Sequence, residues 1–222
     1  MREHYREELE DINTCLVEMA NSVGSAMSKA TTALLDADVT LADLVIAGDE
    51  HVDAVRESLE ERCFTLLARQ QPVATDLRTI TTAMRIVADL ERMGDLAAHV
   101  AKLARMRFPE SAVPAEVRPI FLEAGHVAQS LVTKTGAVIA KLDVQAATEL
   151  ESDDDLMDAL HRQLFTELLS PDWPHGMESA IDITLLGRYY ERFADHAVSV
   201  ARRVVYLVTG EREMHAVGSH AG

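Results

Sequence analysis

The chain has 222 residues, a net charge of −16 at pH 7 and a pI of about 4.9. Such an acidic surface repels nucleic acids and anionic lipids, so neither is expected as a direct partner. Hydrophobic residues make up 48% of the chain and aromatic residues only 5%, which favours helices over β-sandwiches. With six prolines and ten glycines, long helices can run uninterrupted, and the predicted fold class is all-α.

The sequence shows no sign of export or membrane insertion. Its first eight residues are mostly charged and lack the apolar stretch of a secretory signal. No run of apolar residues is long enough to cross a bilayer. Cys15 and Cys63 fall in neither a metal-binding nor a redox spacing, and their apolar helical positions predict buried core thiols. We therefore expect a cytoplasmic protein.

Apolar residues recur every three or four positions, which predicts three helices in the first half of the chain. The first covers residues 3–36. The second covers residues 40–69 and begins with a sequence that resembles a capping box. The third covers residues 76–106, with Thr75 or Asp76 as its N-cap.

A proline-rich segment divides the chain. Three of the six prolines fall in residues 108–119, which we interpret as a hinge between two halves. The predicted organisation is a first three-helix bundle at residues 1–107, the hinge at 108–119, a second three-helix bundle at 120–210 and a flexible tail at 211–222. The two bundles should be related by pseudo-symmetry, because long antiparallel helices with short connections form bundles.

The second half also contains three predicted helices. Pro114 should lie near the first turn of helix four, which ends at about residue 142. Asp143 can cap helix five, which ends at about residue 169. Helix six follows a turn at residues 171–176 and runs to residue 209, where Gly210 is a suitable C-terminal cap.

An acidic motif is repeated one hundred positions apart. Residues 91–95 read ERMGD and residues 191–195 read ERFAD, and six of eleven positions from 91 and 191 onward are identical. A second acidic pair lies upstream of each copy, at Asp49 with Asp53 and at Asp154 with Asp158. The chain is therefore an internal duplication in which each half carries four carboxylates.

Carboxylates four residues apart share one helix face. In an up-down bundle, the pairs of each half lie at similar distances from the loop that joins their helices, so four carboxylates can converge. Oxygen ligands of this kind suit divalent cations such as Mg²⁺, Ca²⁺, Mn²⁺ or iron. His99 extends the first stripe by one further step of four and would add a nitrogen ligand, which favours iron or zinc. The predicted metal ligands are Asp49, Asp53, Glu91, Asp95, Asp154, Asp158, Glu191 and Asp195, together with His99.

Two other interpretations of these polar residues stay open. The stripe on helix three could be a solvated face whose acids pair with Arg78, Arg85 or Arg92. Separately, Glu123 and His126 have the Glu-x-x-His spacing of di-iron bundles. The nearest second copy begins with an aspartate at position 158, and we find no catalytic constellation elsewhere.

Three segments together resemble the PhoU family of accessory regulators of bacterial phosphate-specific transport. They are residues 70–78 (QQPVATDLR), 90–95 (LERMGD) and 190–197 (YERFADHA). The resemblance implies two three-helix bundles whose acidic pairs hold iron, zinc or other metal clusters in some members. The metal-motif acids of the family fall on the eight carboxylates named above. The second motif copy departs from the family by having Phe193 and Ala194 where isoleucine and glycine are usual.

The resemblance also implies a function. Such proteins act when phosphate is plentiful, by contacting the ATPase subunit of the phosphate transporter and the phosphate-sensing histidine kinase. They thereby lower high-affinity uptake and silence the phosphate-starvation response. We therefore expect a non-catalytic adaptor, a homodimer, held at the inner face of the membrane only through protein partners. The alternatives are a ferritin-like di-metal carboxylate enzyme and a helical scaffold without metal.

Overall fold

The structure, a computed structural model, describes residues 2–211, and the predicted flexible tail from residue 212 onward lies outside the described residues. Within that range it contains helices and no strands, which confirms the all-α class. The helices are α1 (Arg2–Asp36), α2 (Val39–Gln70), α3 (Thr75–Arg107), α4 (Arg118–Lys141), α5 (Val144–Leu168) and α6 (Gly176–Thr209). No described helix combines the length and the apolar character that crossing a membrane requires.

Four helices form the centre of the molecule. Helix α3 packs against α1, α2 and α6, while α4 packs against α1, α5 and α6. The two sequence halves therefore meet along two helix pairs, α1 with α4 and α3 with α6. The remaining helices, α2 and α5, lie on the outside, each against its own half. This arrangement places the α2–α3 and α5–α6 seams, where the acidic motifs lie, outside the central interface.

The α1–α4 contact uses one glycine from each half. A Cβ atom built on Gly24 of α1 would lie 2.6 Å from Val132 Cγ1, and one built on Gly125 of α4 would lie 2.6 Å from Thr31 Cγ2. Each half thus supplies a glycine that receives a β-branched side chain from the other half. Because close-packed interiors do not absorb an extra methyl group freely, these positions fix how closely the two helices approach.

A buried hydrogen bond also joins the halves. Thr31 Oγ1 lies 2.7 Å from the hydroxyl of Tyr190, which is fully buried on α6. Thr31 also donates to the carbonyl of Met27 in its own helix at 2.9 Å. Its one hydrogen is therefore used, and the Tyr190 hydroxyl must be the donor between the two side chains.

Several predicted helix ends are confirmed. Asp143 caps α5, and its Oδ1 accepts from the backbone N–H of Ala146 at 3.0 Å. Gly210 ends α6 with φ of +77°, in the left-handed region where glycine has no steric penalty. Cys63 is buried as predicted, whereas Cys15 is only half-buried.

Other predicted ends are wrong. The cap of α2 is Asp38, which accepts from the N–H of Leu41 at 3.0 Å, because the helix already begins at residue 39 and leaves no place for a cap at 40. Helix α3 is preceded by Ala74 with φ of +50° and has no side-chain cap. Helix α4 begins at Arg118 with a proline in its first turn, so Pro114 precedes it. The segment before α4 forms a turn, in which the N–H of Val117 donates to the carbonyl of Pro114 at 3.2 Å, and it places Val113 and Val117 in the core.

Candidate functional site

The first acidic cluster lies on the seam between α2 and α3. Asp49 is half-buried, and its pKa is raised by burial and then by the charge of Asp95, with a further contribution from Asp53. The pKa of Glu91 is likewise raised by burial and by Asp95. Carboxylates of two helices therefore act on each other electrostatically, as the sequence spacing predicted.

Gly94 allows the two helices of this seam to approach closely. A Cβ atom at position 94 would lie 3.1 Å from Val52 Cγ1 and 3.5 Å from Asp49 Oδ1. Because glycine has no side chain, the backbone of α3 reaches the acidic face of α2 within the motif itself.

The second acidic cluster lies on the seam between α5 and α6. Burial, followed by the charges of Asp195, Asp158 and Glu191 in that order, raises the pKa of Asp154 to about 6. The pKa of Glu191 is raised by burial and by Asp195. Asp158 and Asp195 are exposed on the same seam. All four predicted residues of the second half thus interact, and the raised pKa is most marked at Asp154.

One carboxylate oxygen of the second cluster has no partner. Glu191 Oε1 accepts a hydrogen bond from Arg188, whereas Glu191 Oε2 is buried and unpartnered among the described residues. A buried carboxylate oxygen without a donor is unfavourable. A bound cation would remove both this cost and the repulsion around Asp154, so these residues fit a hard divalent ion.

Arginines neutralise part of each cluster. In the first half, Arg92 donates to Asp95 at 3.0 Å and lies 3.7 Å from Glu91. The alternative of internal pairing is therefore confirmed for Arg92. It is wrong for Arg78, which donates to the carbonyl of Leu207 at 3.0 Å, and Arg85 makes no ion pair with any described residue.

His99 belongs to the stripe but its ring turns toward α6. Its Nδ1 donates to the backbone carbonyl of Asp95 at 2.7 Å, and its ring centroid lies 5.3 Å from that of Tyr189. Its charge still reaches Asp49. With Nδ1 donating to the Asp95 carbonyl, Nε2 is the ring atom of His99 that could ligate a cation.

Each cluster brings its carboxylates to one seam without forming a closed metal site. Within residues 2–211, no group of three or more His, Cys, Asp or Glu side chains is placed closely enough to hold a metal ion. Cation binding would thus require rotation of the carboxylates, which the exposed position of Asp158 and Asp195 permits. The role of the eight carboxylates stays a prediction.

The other candidate pair has no comparable setting. Glu123 and His126 lie 3.6 Å apart, and both side chains are more than 60% exposed on α4. His161, from the imperfect second copy, packs its ring against Phe165 on α5, with centroids 5.0 Å apart. These residues therefore form no common site inside the bundle.

Sequence reasoning missed two ion-pair networks between α3 and α6. Buried Asp89 accepts from His196 Nδ1 at 3.1 Å and from Arg203 Nε. Burial raises the pKa of Asp89, but these hydrogen bonds outweigh it and the net shift is downward. The sequence gives no local signal for these partners, because each network joins residues more than 70 positions apart.

The second network lies where α3 ends and α6 begins. Arg107 donates to buried Asp182 at 2.6 Å and to Glu178 at 2.5 Å. Together the two networks fix the register of α3 against α6.

The fold and the paired clusters define a duplicated helical protein that carries one carboxylate group on each outer seam. The family model described as "PhoU domain" matches residues 16–104 and 121–204. The chain belongs to the PhoU family.

Relatives match across almost the whole chain. The protein from Mycobacterium tuberculosis named "Phosphate-specific transport system accessory protein PhoU homolog 2" is 49% identical over 210 residues, which cover 95% of this chain and 99% of that relative. The homolog from Pseudomonas aeruginosa is 33% identical over 218 residues, covering 96% of this chain and 88% of the relative.

Solved structures share the fold. The crystal structure of PhoU from Pseudomonas aeruginosa has a TM-score of 0.84 and 31% identity, covering 93% of this chain and 100% of that chain. The phosphate transport system regulatory protein PhoU from Streptococcus pneumoniae has a TM-score of 0.84 and 26% identity, covering 94% and 98%.

Proposed function

We propose that this protein is a regulator of phosphate homeostasis that acts as an adaptor. When phosphate is plentiful, it lowers high-affinity uptake by contacting the ATPase subunit of the phosphate transporter. It silences the phosphate-starvation response by contacting the phosphate-sensing histidine kinase. The observation that carries the proposal is the match of both halves to one family, with 49% identity to an accessory protein over 95% of the chain. Relatives are named as accessory or regulatory proteins, which favours an adaptor over an enzyme.

The test is phosphate uptake in phosphate-rich medium by cells with and without this chain. We expect deletion to raise uptake and the wild-type chain to restore repression. A reporter of the starvation response, measured in the same cells, separates the contact with the kinase from the contact with the transporter. Unchanged uptake in a strain without any paralogue would refute the transporter role.

We further propose that the two acidic clusters bind divalent cations, iron or zinc among them. The support is electrostatic: the pKa of Asp154 is raised to about 6 and one oxygen of Glu191 is buried without a partner. A bound cation would supply positive charge and stabilise the native state, since a ligand that binds only the folded chain raises its stability. At a hundredfold excess over Kd, the gain is about 2.7 kcal/mol. For a protein of this size that corresponds to a rise of about 5–10 °C in Tm.

Three double variants localise the cations. The double variant Glu91→Ala with Asp95→Ala should remove the part of the metal-dependent rise in Tm that comes from the first half. The double variant Glu191→Ala with Asp195→Ala should remove the part that comes from the second half. The surface pair Glu123→Ala with His126→Ala is the matched control and should leave the rise intact. Retention of full metal stoichiometry by the first two variants would show that the ligands lie elsewhere.

We also propose a cytoplasmic homodimer that reaches the inner face of the membrane through its protein partners. The lack of a membrane-spanning helix among the described residues is consistent with peripheral attachment. Sedimentation of the purified protein and fractionation of cells with and without the transporter test the two parts separately.

A further inference from the structure

The two acidic clusters are flanked by different basic residues on their outer helices. On α2, Arg56 follows Asp53 by three positions. On α5, His161 follows Asp158 by the same interval. Because residues three apart share a helix face, each basic side chain extends the carboxylate stripe of its own half. The duplication thus places a permanent cation beside the first cluster and an imidazole, a common metal ligand, beside the second.

The ring of His161 lies on the α5–α6 seam, one helical turn from Glu191. A Cβ atom built on Gly187 of α6 would lie 3.3 Å from Cδ2 and 3.8 Å from Nε2 of His161. Gly187 precedes Glu191 by four residues, which is about one turn of α6. The first half has the buried Val87 at the position of Gly187, so only the second half leaves this space for a ring.

The imidazole of His161 and the carboxylate of Glu191 both carry polar atoms without partners. Neither ring nitrogen of His161 is hydrogen-bonded to a residue between 2 and 211, although the side chain is half-buried. Its ring packs against Phe165, with centroids 5.0 Å apart, and this contact satisfies neither nitrogen. On the same seam, Glu191 Oε2 is buried and unpartnered. Buried polar atoms are normally satisfied, and a cation bound by both side chains would satisfy them.

Arg56 and Arg92 neutralise part of the first cluster. Arg92 pairs with Asp95 at 3.0 Å and lies 3.7 Å from Glu91. Burial and the charge of Asp95 raise the pKa of Glu91, whereas both arginines oppose that rise. A guanidinium is always charged and has no acceptor atom, so it repels a cation and cannot ligate it.

The second cluster keeps more of its negative charge. Asp195, which matches Asp95, makes no ion pair with any residue that the structure describes. After burial, the charges that raise the pKa of Asp154 are all carboxylates, namely Asp195, Asp158, Glu191 and Asp155. For the matched Asp49, burial and Asp95 raise the pKa but the charge of Lys102 opposes them. A divalent cation should therefore be attracted more strongly to the α5–α6 seam.

We propose that the two clusters are inequivalent cation sites and that His161 is a nitrogen ligand of the second. The inference rests on the proposed binding of divalent cations. Imidazole suits Zn²⁺ and Fe²⁺, whereas Mg²⁺ and Ca²⁺ take oxygen ligands. The α5–α6 cluster therefore binds cations more tightly than the α2–α3 cluster and prefers zinc or iron to magnesium. At the α2–α3 cluster, Arg56 occupies the matched position and weakens the binding of every divalent cation.

Two single-cluster proteins allow each seam to be titrated alone. Glu91→Ala with Asp95→Ala leaves the second cluster intact. Glu191→Ala with Asp195→Ala leaves the first. Calorimetric titration of the metal-free proteins with Zn²⁺ and with Mg²⁺ gives the affinities of each cluster. We expect the second cluster to bind Zn²⁺ at least about tenfold more tightly than the first, because even the outer contacts that support a metal ligand are worth about 10–100-fold in affinity.

Three substitutions in these proteins separate the effect of the ligand from the effect of charge. In the protein that keeps the second cluster, His161→Gln should lower the affinity for Zn²⁺ by about tenfold or more and leave that for Mg²⁺ nearly unchanged. His126→Gln is the matched control and should change neither affinity, because His126 is exposed on α4, which contributes to neither seam. In the protein that keeps the first cluster, Arg56→Gln should raise the affinity for both cations, since it removes a repelling charge without adding a nitrogen ligand. The Tm of each metal-free variant shows whether it is folded.

The outcomes separate this inference from the cation binding on which it rests. If neither cluster binds Zn²⁺ or Mg²⁺, the proposed cation binding fails. If the two clusters bind Zn²⁺ with the same affinity, the sites are equivalent and the inference is wrong. If the folded His161→Gln protein binds Zn²⁺ as tightly as its parent, His161 is not a ligand and the assignment is overturned.

Discussion

Replacing Asp154 by asparagine should stabilise the metal-free protein. Asp154 lies half-buried on the α5–α6 seam, where burial and then the charges of Asp195, Asp158 and Glu191 oppose its ionisation. Asparagine has nearly the same shape but carries no charge. The substitution therefore removes repulsion from the cluster without opening a cavity.

The magnitude follows from the raised pKa. Asp154 titrates near 6 in the native state, against 3.8 for an ordinary aspartate. At about 1.36 kcal/mol per pKa unit, the ionised side chain would cost at most about 3 kcal/mol. Because the side chain is partly exposed, solvent screening should reduce this to about 1 kcal/mol. For a protein of this size, that is a rise of about 2–4 °C in Tm.

The sign of the pH dependence is fixed by the same shift. Between pH 3.8 and about 6, the native state binds more protons at Asp154 than the unfolded state does. The wild-type protein therefore loses stability as pH rises through this window. The advantage of Asp154→Asn should be full at about pH 8 and smaller at about pH 5.5, where the native aspartate is largely protonated.

Thermal unfolding of the metal-free protein at both pH values measures the effect. Asp155→Asn is the matched control, because Asp155 is exposed and its charge acts on Asp154 more weakly than those of the other three acids. Added divalent cation should raise the Tm of the wild-type protein more than that of the Asp154→Asn protein. A metal-free variant that is no more stable than the wild type at about pH 8 would refute the view that this cluster is electrostatically strained.

Two further predictions concern the contacts that join the halves. Thr31→Val should lower the free energy of unfolding by about 1–3 kcal/mol, because it leaves the buried Tyr190 hydroxyl without a partner. Tyr190→Phe should lower it by only about 0.5–1.5 kcal/mol. If urea unfolding ranked the two variants in reverse, the assignment of Tyr190 as the donor would be wrong. Asp89→Asn should cost about 2 kcal/mol or more, because Arg203 and His196 lose their charged partner. Because the native pKa of Asp89 is lowered, its contribution to stability should be present at neutral pH and lost as pH falls below about 4. If the Asp89→Asn protein had the same unfolding free energy as the wild type at neutral pH, that result would contradict the pairing.

The sequence predicted those features that depend on periodicity. Six helices, their approximate limits and the convergence of the acidic pairs all follow from spacings of three and four along single helices. Helix starts were less predictable, because a cap depends on the backbone conformation of a few residues. Asp38 caps α2 although Thr40 follows it, and Ala74 precedes α3 with a positive φ.

Contacts between the halves could not be predicted from spacing. Gly24 and Gly125 accept side chains from helices roughly one hundred residues away. Nothing in the local sequence separates these glycines from one such as Gly48, which has open space around it. The choice of partner for Arg92 and Arg78 was equally undetermined, since both lie on α3 near acids but only one pairs with them.

The placement of charge argues that the acidic clusters are functional and not a by-product of an acidic composition. Where the fold buries Asp89 and Asp182 between α3 and α6, it supplies arginine partners that satisfy them. On the α5–α6 seam, the structure instead leaves the pKa of Asp154 raised and a buried oxygen of Glu191 without a donor. On the α2–α3 seam, the pKa values of Asp49 and Glu91 are raised. Both halves gather four carboxylates in this way although only one arginine, Arg92 or Arg188, pairs with acids of the motif. The chain thus neutralises buried acids at its centre but leaves the acids of both seams only partly neutralised. This distribution of charge is expected of a protein whose seams bind a cation.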